Sequence, residues 1–250
     1  MTRALAALLL CMLSLSAAAA GGPRADADAP GTPGSRVQHF SARAYEPGTR
    51  RPLYTERHRV ELRNGRPWRE TVTYAAANGE VFGRKSLEYR HSARAPSFRF
   101  EDLRTGRVEQ VDRRGARWIV GLRERAGEEL EQELLRTGPT VTVDEGYRAV
   151  LHDELARLRA GEATVADVIV ASRLSRYDMR FRGHGVVRRR GEQLLHVRLD
   201  MDDLLLRLVG PSADLYVDPN TGRLREFVGL ANIRDADGDL QQAQLFYRYE

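Results

Sequence analysis

Lysine is almost absent from this chain. Of its forty basic residues only Lys85 is a lysine, and the remainder are arginine. The formal charge of +5 and the isoelectric point near 9.6 therefore rest on arginine alone. The basic residues are interleaved with acids, as in Glu56-Arg57-His58-Arg59-Val60-Glu61, instead of forming a block. Nucleic-acid binding needs a concentrated basic footprint, so a solvated mixed-charge surface is the reading and no nucleic-acid partner is expected. Cysteine is just as scarce: Cys11 is the only one and lies in the first apolar stretch. Beyond it there is no disulfide, no thiol nucleophile and no cysteine metal site. Long apolar runs are missing too. The single stretch from Ala4 to Ala20 falls slightly short of the about 20 residues a membrane span needs.

That stretch has another reading. Arg3 precedes it, and Ser16-Ala17-Ala18-Ala19-Ala20 ends it with small side chains before Gly21. A positive start, a short apolar centre and a small-residue end make a secretory signal peptide. Residues 1–20 are thus expected to be cleaved, leaving an exported, periplasmic protein that does not span the membrane. Leu8-Leu9-Leu10 before Cys11 lacks the small residue a lipid-attachment site requires, which argues against a lipoprotein. Residues 21–35, rich in Gly, Pro, Ala and Asp, bury almost nothing and are expected to be a disordered leader.

From residue 36 the pattern changes to period two. His58, Val60 and Leu62 alternate with Arg57, Arg59 and Glu61; Asn64-Gly65 turns the chain; Trp68, Glu70, Val72 and Tyr74 alternate again before Asn78-Gly79. Short strands continue through Arg123 and resume after Gly161 with Val165 to Ala171, with turns such as Asp218-Pro219-Asn220-Thr221-Gly222 between later ones. Such short links imply antiparallel pairing throughout. Between these runs Tyr147, Val150, Leu151, Leu155 and Leu158 share one helical face, predicting a helix over about 144–160, with Thr142 or Asp144 to cap it and Gly161 to end it. Residues 126–136 lean towards helix through Leu130, Leu134 and Leu135, and Leu204–Val209 reads as a short apolar helix or turn before Pro211. The fold expected is mainly β (α+β): one domain over 36–250, a strongly curved antiparallel sheet of about ten strands forming a half-barrel, with one main helix on its concave face. The concave face should be apolar and the convex face charged. Twist forbids so long a sheet from staying flat.

Chemical signatures are sparse. Asp235, Asp237 and Asp239 around Gly238 invite a cation reading, but the EF-hand spacing fails and a solvated hairpin tip is the plainer reading. None of the six histidines has a helical zinc spacing, and His152-Asp153-Glu154 points three ways from a helix. No Gly-x-Ser-x-Gly elbow is present. No cofactor is implied and no enzyme is expected, a hydrolase with an unrecognised site being the alternative. What remains is an aromatic stripe, from which Trp68, Tyr74, Trp118, Tyr177 and Phe181 are the candidate ligand-binding residues of an apolar face. An outer-membrane barrel is disfavoured because Glu56 and Glu70 would place charge on lipid-facing strand surfaces, and because the last residue, Glu250, is not aromatic.

The segment Leu215-Tyr216-Val217-Asp218 to Leu224, then Phe227-Val228-Gly229-Leu230-Ala231-Asn232-Ile233-Arg234-Asp235 and Gly238, resembles uncharacterised exported proteins of Gram-negative bacteria. The helix ending in Leu158-Arg159-Ala160-Gly161 before an apolar strand agrees with that resemblance, which spans about residues 40–249. At the level of fold the strand count also resembles the unclosed barrels of periplasmic lipoprotein carriers. The resemblance implies a binding or carrier module for an apolar, lipid-like ligand. A structural or protein-interaction component of the envelope is the alternative, so lipid or an envelope protein is the expected partner.

Overall fold

The computed structural model describes residues 35–235 and 237–250. The expected signal peptide and residues 21–34 of the expected leader lie outside the described residues. Ser35, assigned to the leader, already belongs to the first strand.

Eight strands form the N-terminal half: β1 (Ser35–Tyr45), β2 (Pro52–Arg63), β3 (Arg66–Ala76), β4 (Val81–Glu88), β5 (Ser97–Asp102), β6 (Arg107–Arg114), β7 (Arg117–Arg123) and β8 (Glu131–Leu135). After β9 (Val141–Val143) come a single 3-10 turn at Asp144–Gly146, then α1 (Tyr147–Asp153) and α2 (Leu155–Arg159). The C-terminal half contains β10 (Ala163–Val170), β11 (Ser175–Arg189), β12 (Glu192–Met201), the short α3 (Leu204–Val209), β13 (Ala213–Val217), β14 (Leu224–Arg234) and β15 (Leu240–Tyr249). All fifteen strands belong to one sheet, in the order β8 to β1, then β15 down to β9. Two meanders are therefore spliced by one long-range pairing, in which Phe40 of β1 faces Tyr249 of β15. The sheet curls until β6 and β7 meet the turn at Ala171–Arg173 and β8 approaches β11. No ladder joins β8 to β9 among the described residues, so the barrel stays unclosed.

Several expectations need correction. The described residues form fifteen strands instead of about ten. Residues 131–135, part of the segment expected to be helical, form strand β8. Glu131, Gln132, Glu133 and Leu134 are all exposed there, so the leucine spacing recorded no buried helical face. Pairing is not wholly antiparallel, since Val141–Val143 run parallel to Asp167–Ile169. The α1–α2 segment supplies the crossover that a parallel pair requires. That segment is also broken: Glu154 leaves helical geometry with φ −96° and ψ 9°. Neither expected N-cap acts as one. Thr142 donates instead to the Arg94 carbonyl at 2.9 Å, while Asp144 turns to Lys85. The ending was legible: Gly161 has φ +80° and donates to the Leu158 carbonyl at 3.1 Å. The Asn64-Gly65 hairpin is also as expected, with φ 50° and 73°.

The helical segment fills the inside of the curl. Val150, Leu151 and Leu158 are buried against the same core as Phe181, Leu195, Val197, Leu215 and Leu245. Two glycines set its depth. An added Cβ on Gly183 of β11 would lie 1.7 Å from the Leu158 carbonyl oxygen, and one on Gly146 would lie 1.8 Å from the Arg94 carbonyl oxygen. Backbone therefore rests on backbone at both ends of the segment. Because no flexible side chain can yield there, Gly183→Val forces α2 off β11. The expected outcome is a fall of roughly 5–10 °C in melting temperature, read by circular dichroism. A melt within 1 °C of wild type, on a scale where a kcal/mol shifts it by about 2–4 °C, would show that the approach is not a constraint.

Candidate functional site

The concave face is not simply apolar. Strand alternation sends Glu56, His58, Glu70, Lys85, Asp102, Arg107 and Glu109 inward, and all seven are buried. Glu56 and Glu70, the acids that weigh against a lipid-facing barrel, are 6% and 1% exposed. The reason is a reciprocal set of charges. Glu70 accepts from His58 Nδ1 at 2.8 Å, Tyr89 Oη at 2.6 Å and Arg148 Nη2 at 2.5 Å. The other nitrogen of His58, Nε2, lies 3.0 Å from Glu56. With acceptors at both ring nitrogens, His58 carries both protons as an imidazolium. Burial opposes that charge, but hydrogen bonds to Glu56 and Glu70 outweigh it and raise the pKa from 6.5 to about 9. Burial likewise pushes Glu70 upward, and Arg148 and His58 override it to bring the carboxyl down to about 2.

The lone lysine belongs to the same array. Lys85 Nζ donates to the two Asp144 oxygens at 2.8 and 3.0 Å and to Glu145 at 3.3 Å. Burial works against its charge, but Asp144, Tyr74 and Glu145 hold the ammonium protonated well above its usual range. Arg148 closes the circuit, with Nε 3.3 Å from Glu145. The array thus ties Asp144, Glu145 and the start of α1 to β2, β3 and β4. The His58 and Glu70 side chains are fully buried, so the array presents neither group to a substrate in solution. Its chemistry is that of a lock.

Of the five candidate aromatic residues, Tyr74, Trp118 and Phe181 are 1%, 3% and 0% exposed and belong to the packed core. Tyr74 packs edge-on to Phe100, with ring centroids 5.5 Å apart. Trp68 is half-buried beneath the Arg63 guanidinium, 4.1 Å from its centroid. These four share the core-facing side of the sheet without lining either of the two open depressions described below. Tyr177 is different, because it lines a cleft of about 490 Å³ with Met201 and Leu206. At the hairpin tip Asp235 directs its carboxylate into its own turn, accepting from the Asp237 and Asp239 amides at 3.0 and 2.9 Å. Among the described residues no three His, Cys, Asp or Glu side chains gather as metal ligands. His152 remains exposed, and its neighbours Asp153 and Glu154 are engaged by Arg94 at 2.9 and 2.8 Å.

The Tyr177 cleft sits beside α3. Asp203 caps this helix by accepting from the Leu205 and Leu206 amides, both at 2.9 Å. Arg207 folds back to the Met201 and Asp202 carbonyls at 3.1 and 2.6 Å. With its backbone so fixed, the helix leaves Leu204, Leu205, Leu206 and Leu208 at 68%, 74%, 48% and 79% exposure. The short apolar helix or turn expected over Leu204–Val209 is a helix, but nothing in the run Leu204-Leu205-Leu206 says that the leucines face outward.

No protein-family profile matches the chain. No curated protein matches it either. The solved structures that match it include two at low sequence identity. One is a beta-barrel-like protein of domain of unknown function DUF1849 from Brucella abortus, 9% identical, with a TM-score of 0.47 over 86% of this chain and 96% of that one. The other is a LolA superfamily protein from Nitrosomonas europaea, 9% identical, with a TM-score of 0.24 over 87% of this chain and 86% of that one. Among the described residues no helix is long and apolar enough to cross a membrane.

Two measurements check the buried array. Because Lys85 is the only lysine, an amine-acylating reagent should add one group to the folded protein, at the α-amine, and a second only after unfolding in guanidinium. Rapid acylation of Lys85 in the folded state would refute its enclosure. The second concerns pH. The raised pKa of His58 gives stability that is complete below 6.5 and is lost as pH rises through about 9. Urea titrations should show wild type losing about 3 kcal/mol across that interval. His58→Gln, less stable at pH 6, should show a much flatter profile. Parallel profiles for the two proteins would contradict the imidazolium assignment.

Proposed function

We propose that the protein is an exported, periplasmic binding or carrier module without catalytic activity, and that its ligand is apolar and lipid-like. The observation that carries this reading is the group of exposed leucines on α3 beside the cleft of Tyr177, Met201 and Leu206. Leaving a leucine in water forgoes about 1.5–3 kcal/mol relative to burial. Four such residues on one capped helix form a surface that gains by being covered, as interaction sites do. Leu204, Leu205 and Leu208 lie along one broad arc and Leu206 turns towards the cleft. An acyl chain in the cleft would therefore be flanked by apolar groups on the helix side and by Tyr177 on the sheet side. Arg176, Asp178, Asp202 and Asp203 complete the lining and keep the mouth polar.

The interior supports a role in binding over one in catalysis, since its acid–base groups are satisfied by each other. Purification from its native envelope followed by native mass spectrometry should show bound lipid. A fluorescent fatty acid should bind wild type, and Leu205→Glu with Leu208→Glu should weaken it at least tenfold with the thermal melt unchanged. A lipid-free native protein that also fails to bind the probe would end this reading. Recovery of a stoichiometric protein in place of lipid would replace it with the interaction-component alternative.

A further inference from the structure

A second depression, of about 820 Å³, lies on the other surface of the sheet. Its floor is a cross-strand row in which Glu226 of β14 faces Phe246 of β15 and Phe246 faces Arg43 of β1, while Tyr216 of β13 faces Glu226 from beyond the lining. One wall is the tip of the β11–β12 hairpin. The register of this hairpin shifts between Gly183 and Val186, and at its tip Arg189 and Arg190 reach side chains of β13, β14 and β15. Arg189 stacks 4.1 Å from the Tyr216 ring centroid and Arg190 4.0 Å from that of Phe246. Arg225 holds the arm from below through Glu192 at 3.1 Å. The other wall is the β1–β2 turn, with Gly48, Thr49 and Arg50.

Five arginines converge on this groove: Arg43, Arg50, Arg189, Arg190 and Arg248. Its buried acid is already satisfied. Glu226, 2% exposed, takes Arg189 in a fork at 2.5 and 3.1 Å and the Gln244 amide at 2.6 Å. Among the described residues Arg43, Arg50, Arg190 and Arg248 form no salt bridge, and Glu250 is the only other acid in the lining. A guanidinium offers a planar fork of donors suited to phosphate, and here several such forks surround the Phe246 ring. Arg190 covers one face of that ring, and no acid of the lining pairs with Arg43, Arg50 or Arg248 among the described residues.

We infer that this groove is a binding site for a phosphate ester, its phosphate held by Arg43, Arg190 and Arg248 and its apolar or ring portion laid against Phe246 and Tyr45. Tyr45 and Phe246 present tilted rings 5.9 Å apart, leaving an apolar strip beside the charges. The phosphate could belong to a lipid head group or to a free ester, and the recognition chemistry is the same.

The test uses the full mature chain and four probes in isothermal titration: inorganic phosphate, naphthyl phosphate, dihexanoyl phosphatidylglycerol and dihexanoyl phosphatidylcholine, the lipids below micelle formation. Naphthyl phosphate should bind saturably, at least tenfold more tightly than inorganic phosphate, and weaken steeply with salt. The double variant Arg43→Gln with Arg190→Gln alters only exposed side chains and should lose at least tenfold in affinity with an unchanged melt. Stronger binding of phosphatidylglycerol than of naphthyl phosphate would assign the lipid source, and the reverse order the free ester. Absence of saturable binding by either, equal binding by the double variant, or equal binding of the zwitterionic phosphatidylcholine would overturn the inference. None of these outcomes bears on the Tyr177 cleft, which the fatty-acid measurement reads separately.

Discussion

The carboxylate of Glu70 is the point on which the interior turns. Three donors from three parts of the chain meet it: His58 on β2, Tyr89 just after β4 and Arg148 on α1. A buried carboxylate without partners would cost several kcal/mol, and with partners of good geometry it ties together everything that supplies them. The start of α1 is thereby bound to the N-terminal meander by charge, while α2 is bound to the C-terminal meander by close backbone contact at Gly183. Losing the array would free one end of the segment that fills the curl.

The place of the lone lysine follows from that arrangement. Asp144 and Glu145 are adjacent in sequence, and both face Nζ of Lys85. An ammonium is compact and can aim its three donors in different directions, whereas a guanidinium is a planar fork that fits one carboxylate edge-on. Arginine also bridges two acids, as Arg148 does Glu70 and Glu145, but through separate nitrogens of its fork, whereas the one Nζ of Lys85 meets two adjacent carboxylates of a single turn. Where a single carboxylate is to be gripped, as Glu226 is by Arg189 and Asp200 by Arg180, arginine serves in the fork geometry.

Much of the framework was legible because hairpins announce themselves locally. Asn64-Gly65 and the alternation around it placed β2 and β3 without reference to the rest of the fold. Glu70 was legible as a member of the inward stripe through Trp68, Val72 and Tyr74, yet its identity as an acid argued the other way. The conflict resolves only when His58, twelve residues earlier, and Arg148, seventy-eight residues later, are brought beside it. No local pattern encodes that meeting. The parallel β9–β10 pair was hidden for a related reason, since a three-residue strand has too few positions to show a period. Of the candidate aromatics Tyr177 alone lines a cleft, because it lies near the start of β11, at the rim of the curl. Tyr74, Trp118 and Phe181 sit where neighbouring strands and the helical segment cover them.

The two open depressions sit at opposite ends of one hairpin. Tyr177, near the start of β11, lines the leucine-flanked cleft, and Arg189, at its end, lines the arginine groove. Twelve residues of extended strand separate them, about 40 Å along the chain and somewhat less across the bend at Gly183 and Val186. An extended acyl chain of ordinary length is well under half of that, since it must fit one leaflet of an apolar layer about 30 Å thick. One lipid cannot fill both sites together. Occupancy of either site must therefore be judged on its own, and any coupling between them would have to travel through the β11–β12 hairpin. Gly183 is the position in that hairpin where α2 presses closest, so a change in how the helical segment sits in the curl would act first on the bend that carries the arm.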